Sequence, residues 1–429
     1  METLKKTFQN ADLRKRILFT VIIFIIYRIG TFITVPGVNA ERLYALTDTP
    51  MLGFMDALSG GALGQFSIFA MSISPYITAS IVVQLLQMDV IPILSEWAKE
   101  GETGKRKLNQ LTRYMSLILA FIQAIVVAIG FNFTLGGVLL QTQAWWIYLY
   151  IGLIMTAGTA ILLFLADQIT VKGIGNGTSM LIIAGIMSRM PGMIRDIYVR
   201  YLTEITVFNM IGLISVVALM LITIVAVIYL QSATRKLPIQ YANRHNSAQL
   251  SGQKDSFIPF KLNSAGVIPV IFASSLISLP LTIAQFMEGT ETARILSLIF
   301  NFQEHIIGLI LYIVLIGAFT FFYAFVQVSP EKIAENLKKQ GSYIPGIRPG
   351  DDTENYVSKI LGRVTFIGAI YLIAIATLPI FLGFIPNLDI PQSVQIGGTG
   401  ILIVVGVALE TAKQISNKNQ EKEYRGFIK

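Results

Sequence analysis

Residues 59–81 read SGGALGQFSIFAMSISPYITASI. The stretch opens on Gly60, Gly61 and Gly64, which leave the backbone too free to hold a helix. It then becomes an apolar run over about 66–88 that carries Pro75. A helix rising about 1.5 Å per residue crosses roughly 30 Å of hydrocarbon in about 20 apolar residues, so this run is long enough to span a membrane. Two readings fit the glycine-rich opening. It is either an ordinary loop outside the bilayer or a segment folded back into a protein-lined cavity, where non-helical backbone is tolerated at membrane depth.

Outward from this stretch the same pattern recurs. Apolar runs fall at about 17–35, 66–88, 112–132, 145–166, 174–188, 205–230, 264–287, 305–328, 364–384 and 395–409, which predicts ten spans. Hydrophobic residues make up 54% of the 429 and charged residues 14%, against roughly 25% charged in a soluble domain. The expected class is therefore an all-α integral membrane protein. Of 33 Lys and Arg, 27 lie in the N-terminal segment, in the connections after even-numbered spans or, as Arg113 does, at their rim; only 5 lie in the other connections. By the positive-inside rule both termini face the cytoplasm, although Arg189, Arg195 and Arg200 run against the trend. The basic residues Lys5, Lys6, Arg14, Lys15 and Arg16 precede a first run too long for a signal-peptide core, so it reads as a retained span.

The composition also excludes chemistry. Without cysteine there is no disulfide, thiolate metal site or catalytic thiol. The only histidines, His245 and His305, lie outside or at the edge of apolar runs and in no metal-binding spacing. No Gly-x-x-x-x-Gly-Lys-Ser/Thr loop and no Gly-x-Ser-x-Gly elbow is present. No catalytic residue, metal site or cofactor is expected.

Ten spans divide into two sets of five. Spans two and seven each carry a proline, Pro75 and Pro269, and spans five and ten read as short runs opening on glycines, GIGNG at 173–177 and GGTG at 397–400. Matching interruptions of this kind suggest inverted repeats with a functional path between them; close helix packing by small residues is the plainer alternative. The expected division is a cytoplasmic segment at 1–16, a first half at 17–200, a second half at 201–415 and a cytoplasmic tail at 416–429. Isoleucines recur on the four helices so marked: Ile73 and Ile77, Ile182 and Ile186, Ile271, and Ile403. They are lipid-facing or core filler, or, if these helices line a path, a stiff β-branched constriction that seals by dewetting.

Two long cytoplasmic connections, about 231–263 and 329–363, carry most of the polar surface. The first sets Arg235, Lys236, Arg244, Lys254 and Lys261 against one acid, Asp255. In the second, Ser329-Pro330 starts a short helix ending at Gly341, and PGIRPG at 345–350 holds Arg348 in a stiff turn. Such loops either reflect topology alone or form a docking surface for an acidic partner or RNA phosphate.

YRIGTFITVPG (27–37), the stretch at 59–81, GIGNGTSMLIIAGI (173–186), RKLPIQYANR (235–244), NSAGVIPVIFASS (263–275), PGIRPG and GGTGILIVVGVALE (397–410) together resemble the bacterial SecY family, the pore subunits of protein-export channels. The likeness covers nearly the whole chain. It implies a clamshell of two inverted five-helix halves around a central pore, with a lateral gate between spans two and three and spans seven and eight. It also implies a pore ring at Ile73, Ile77, Ile182, Ile186, Ile271 and Ile403, and a plug at about 57–70 that includes Gly60, Gly61, Ala62, Leu63 and Gly64. Docking residues for the ribosome, with its RNA, and for the SecA ATPase would be Arg235, Lys236, Arg244 and Arg348. Where many relatives carry a basic doublet in the first loop, this chain has Ala248 and Gln249. The remaining implied partners are SecE, SecG, signal peptides, preproteins and membrane lipids, and the implied location is the bacterial cytoplasmic membrane. The expected function is a passive channel that passes unfolded preproteins across the membrane and releases hydrophobic segments sideways into lipid, driven by a separate motor. Arg28, the one ionisable residue well inside a span, is expected to pair with a neighbouring helix or with SecE. Glu410 is expected in interfacial water. Two other classes fit the sequence less well. An ion-coupled transporter would place acids or histidines near the midplane, and a membrane hydrolase would need a nucleophile with a base.

Overall fold

A computed structural model describes residues 11–39, 56, 59–88, 90–140, 144–203, 206–241, 257–287, 290–383 and 392–426. Arg244, His245, Ala248, Gln249 and residues 57 and 58 lie outside this set. Most of the described residues are helical. In order come α1 (Ala11–Thr31), α2 (Ser74–Leu86), α3 (Pro92–Lys99), α4 (Glu102–Thr134), α5 (Trp145–Lys172), α6 (Gly177–Leu202) and α7 (Val207–Ser232). Three strands follow, β1 (Thr234–Pro238), β2 (Gln240–Tyr241) and β3 (Phe257–Lys261). The remainder is α8 (Ile268–Phe286), α9 (Glu291–Phe300), α10 (Ile306–Gln327), α11 (Pro330–Lys339), β4 (Ser342–Tyr343), α12 (Asp351–Gly383) and α13 (Gln392–Gly426).

Among the described residues seven helical segments are long and apolar enough to cross a membrane: α4, α5, α6, α7 and α12, the segment that begins with α10, and the stretch of α13 from Thr399 to Asn417. Helices α2 and α8 are apolar but shorter. Helix α1 has Arg14, Lys15 and Arg16 near its start and is apolar beyond them except for Arg28 in its last turn. The outward faces carry large apolar side chains. Leu18, Ile25 and Ile29 on α1, Leu153 and Phe164 on α5, Ile214 and Val225 on α7, and Ile310 and Val314 on α10 are each more than half exposed. A soluble protein does not present so much continuous apolar surface, whereas lipid covers it at no cost.

Local chemistry sets several helix starts. Asn176 and Thr206 accept the backbone N–H groups of Thr178 and Asn209 at 3.1 and 3.2 Å, and Ser329 accepts that of Lys332 at 3.4 Å. Each satisfies one of the orphan donors of a first turn.

The element boundaries differ from the apolar runs in three ways. Residues 66–73 are not helix but a succession of turns, and α2 starts only at Ser74. Spans five and ten are not short, since α6 has 26 residues and α13 has 35. Their apolar stretches end early but the backbone hydrogen bonds do not, because Arg, Gln, Glu and Lys are good helix formers in water. The connection expected at 329–363 is also shorter than that, because α12 begins at Asp351 under three acids, Asp351, Asp352 and Glu354, that suit a helix N-terminus.

Within the first half α4 packs on α2 and α5, and α5 on α1 and α6; in the second, α10 packs on α8 and α12, and α12 on α13. The halves meet along two seams. On one, α13 lies on α6 and α6 on α7; on the other, α8 lies against α2 and α4.

Candidate channel site

Helices α2 and α8, which face each other across the second seam, begin in the same way. Ser72 and Gly266 adopt left-handed backbone, at φ 51° and 66°. The next residues, Ile73 and Val267, cap the helices with φ and ψ of −95° and −1°, and of −94° and −4°. Proline occupies the second helical position in each, where its missing N–H is one of the orphans in any case. Aligned on these starts, ISPYITAS at 73–80 and VIPVIFAS at 267–274 share Pro, Ile, Ala and Ser. Ile77 and Ile271 then occupy equivalent positions, donating their N–H groups to the capping carbonyls at 3.1 and 3.4 Å. The apolar runs had hidden this, because they placed both prolines inside spans rather than at helix starts.

All six isoleucines are at most 9% exposed and belong to one apolar cluster: Ile73, Ile77, Ile182, Ile186, Ile271 and Ile403. They do not face lipid. Helix α13 comes close to α6 there, since a Cβ on Gly400 would stand 2.9 Å from Ile186 Cγ2.

The glycine-rich segment is also buried rather than looped outside. Ala62 and Phe66 are fully buried and Leu63 is 3% exposed. Ala62 joins the isoleucine cluster, while Leu63 and Phe66 pack in a second cluster with α4 and α5. Backbone ties fix its ends. Val35 N–H donates to Phe66 O and Ile68 N–H to Ile33 O, both at 3.0 Å. The Tyr27 hydroxyl donates to Ser59 O at 2.8 Å, and the Ser188 hydroxyl to Gly60 O at 3.0 Å. Gly60 lies at φ 71°, with a Cβ there meeting the Gly185 backbone at 2.9 Å, so both conformation and space demand glycine.

Arg28 uses Nη1 to reach Gly60 O at 2.8 Å and lies over the Phe32 ring at 4.5 Å. Its partner is thus the glycine-rich segment, not a neighbouring helix. The buried Asp56 makes an ion pair with Arg189 of α6. Neither was foreseen as a partner of the other; the only sign in the sequence was that Arg189 breaks the positive-inside pattern.

Where α2, α4 and α10 converge, a cavity of about 300 Å³ is lined by Tyr76, Ser80, Gln84, Gln87, Asn109 and Gln327, among others. Gln84 Oε1 is buried there without a hydrogen-bond partner. This polar lining lies close to the seam between α8, α2 and α4.

The connection after α7 and the one after α10 form one unit. β1 pairs antiparallel with β3, and β2 with β4, so the ladder Gln240–Tyr343 and Tyr241–Ser342 ties one connection to the other. Leu237, Phe260, Leu337, Ile344 and Val357 close a small core beneath them. Arg235, Lys236 and Arg348 are exposed on this unit. Lys236 Nζ lies 4.7 Å from the Phe257 ring centre. Arg348 sits between Gly346 and Gly350, both at positive φ. None of the three has an acidic partner among the described residues, whereas Lys339 is held by Glu335 at 2.7 Å. That ammonium also keeps the Glu335 carboxyl below its ordinary range. Glu410 is exposed, and Lys413, one turn on, donates to Gln231 O at 2.8 Å.

A family model described as SecY matches residues 67–412. The chain is similar to the protein translocase subunit SecY of Halalkalibacterium halodurans, with 49% identity over all of this chain and 99% of that one. Two solved structures share its fold. One was described for the plug domain of SecY stabilising the closed state and maintaining a membrane seal; it has a TM-score of 0.62 and 17% identity, and covers 94% of this chain and 92% of that one. The other is an idle yeast Ssh1 complex bound to the yeast ribosome, with a TM-score of 0.64 and 16% identity, covering 94% of this chain and 89% of that one.

Proposed function

The chain belongs to the SecY family, and from that premise we propose how its parts divide the work of a protein-conducting channel. It is a multi-pass membrane protein and the channel subunit of the translocase, not an enzyme; any ATPase is a separate partner. In our reading Ile73, Ile77, Ile182, Ile186, Ile271 and Ile403 form the constriction. The segment from about 57 to 70, with Gly60, Gly61, Ala62, Leu63 and Gly64, is the plug beneath it. The seam of α8 against α2 and α4 is the lateral gate, and the unit bearing Arg235, Lys236 and Arg348, with Arg244, is the docking surface. Ten spans, two inverted halves, both termini in the cytoplasm and residence in the bacterial cytoplasmic membrane complete the proposal. So do the partners SecE, SecG, SecA and the translating ribosome.

One observation carries this reading most directly: Ile77 and Ile271 occupy matching positions on two helices that start alike and pack against each other at the seam between the halves. A path on that seam has these side chains on its wall. Stiff β-branched residues there close the path to ions by excluding water, without binding any cargo. The absence of cysteine makes the test direct. Ile77→Cys and Ile271→Cys should each crosslink to a secretory chain stalled in transit, and the membranes should yield a small SecE-like chain on gentle solubilisation. Labelling only at lipid-facing control positions such as Ile25 and Leu153 would reject the central path.

A further inference from the structure

We propose that Asp56 and Arg189 form a latch that holds the plug segment shut, and that breaking this ion pair is a step in opening the channel. The inference rests on the plug reading above. Asp56 sits at the root of the glycine-rich segment and is tied into it three times. Its carbonyl accepts Gly61 N–H at 2.8 Å and the Ser59 hydroxyl at 3.0 Å, and its Oδ1 accepts Gly64 N–H at 2.8 Å. The other oxygen, Oδ2, meets Arg189 Nη2. One carboxylate therefore both shapes the segment and anchors it to α6, the helix that carries Ile182 and Ile186.

The asymmetry of the pair suits a latch. The Asp56 side chain is 2% exposed, while that of Arg189 is 42% exposed. A buried carboxylate is stable as a charge only when paired, so the plug root stays where Arg189 is. Arg189 can turn towards water or towards a passing chain without desolvation, which makes it the moving partner. Every other polar tie between the segment and α1 or α6 that the structure shows runs to a neutral carbonyl, at Ser59 and Gly60. Among the described residues this is the only ion pair holding the segment. It also accounts for a cation at Arg189, against the positive-inside pattern of the chain.

The experiment uses the full chain in its membrane complex. Asp56→Asn keeps an oxygen to accept Gly64 N–H and removes the charge, so the turns of the segment are retained; Arg189→Gln leaves the buried Asp56 carboxylate without its cation and drives it from its seat. Each should raise the resting ion conductance of vesicles roughly tenfold, and the double variant should leak no more than the worse single one. A second variant, Asp56→Cys with Arg189→Cys, should be bridged by a bis-methanethiosulfonate reagent long enough to replace the lost arginine side chain, and the bridge should block passage of a preprotein until reductant releases it. If the bridge forms but transport continues, the segment does not move and the plug reading falls. If it blocks transport while Asp56→Asn and Arg189→Gln leak no more than the parent, the plug stands and the latch falls. If no reagent of that length bridges the two thiols, the two positions are not neighbours and the latch falls as well.

Discussion

A single methyl group separates two kinds of glycine in this chain. A Cβ on Gly158 of α5 would stand 1.8 Å from Ile68 O, in the turns that precede α2, whereas one on Gly362 of α12 meets nothing within 4 Å. Gly158→Ala must therefore push a buried backbone aside, at a cost of about 1–3 kcal/mol. Gly362→Ala gains up to about 1 kcal/mol in helix propensity. Thermal unfolding in mild detergent should move in opposite directions for the two variants, and a rise with Gly158→Ala would mean that α5 does not bear on Ile68. Nothing in the sequence distinguishes these glycines, because the distinction lies in what stands opposite. The same limit applies to Asp56 and Arg189, which are far apart in the chain and meet only once α6 and the glycine-rich segment are packed. The isoleucines were legible as a recurring residue type on four helices. Their burial was not, since Leu18 and Ile29 are equally apolar and face outward.

At the scale of elements, hydrophobicity locates spans but not their ends. A helix stops where its backbone bonds stop, and those depend on turn geometry. Ser72 and Gly266 show this, since the left-handed turn each provides re-aims the chain into α2 and α8. A β-branched residue there clashes with its own backbone at about 1–2 kcal/mol. Gly266→Val should accordingly lower the unfolding midpoint by at least that equivalent. Ser72→Gly relieves strain but loosens the unfolded chain by about 0.4–1 kcal/mol, so the two effects nearly cancel. Thermal or denaturant unfolding of both variants checks this, and equal destabilisation by the two would refute the shared start. Pro75 and Pro269 were visible in the sequence as a matched pair. Their meaning needed the helix starts, which also bring Ile77 and Ile271 into register. The ladder between β2 and β4 was less legible still, since strands of two residues leave no periodicity to read.

Across the whole molecule, the scarcity of charge points to a membrane protein and nothing narrower, and the two seams between the halves mark the route open to a path. Whether the six isoleucines seal that path or merely fill a core is decided by what their removal does. In a packed core, an isoleucine truncated to alanine costs about 2–5 kcal/mol, so six truncations to glycine would prevent folding. At a constriction each side chain has a neighbour on one side and a potential opening on the other. Truncation there costs less stability and admits water, which ends the dewetting that excludes ions. Replacing Ile73, Ile77, Ile182, Ile186, Ile271 and Ile403 with glycine should therefore give a protein that still assembles in vesicles and conducts small ions at rest. Replacement with leucine, which keeps apolar volume, should remain sealed. A glycine variant that assembles yet conducts at background would remove the constriction from these residues, and one that fails to assemble while single glycine variants unfold early would make them core. The leucine series guards the comparison, because a seal that depends on apolar volume survives a change of branching whereas a specific contact does not.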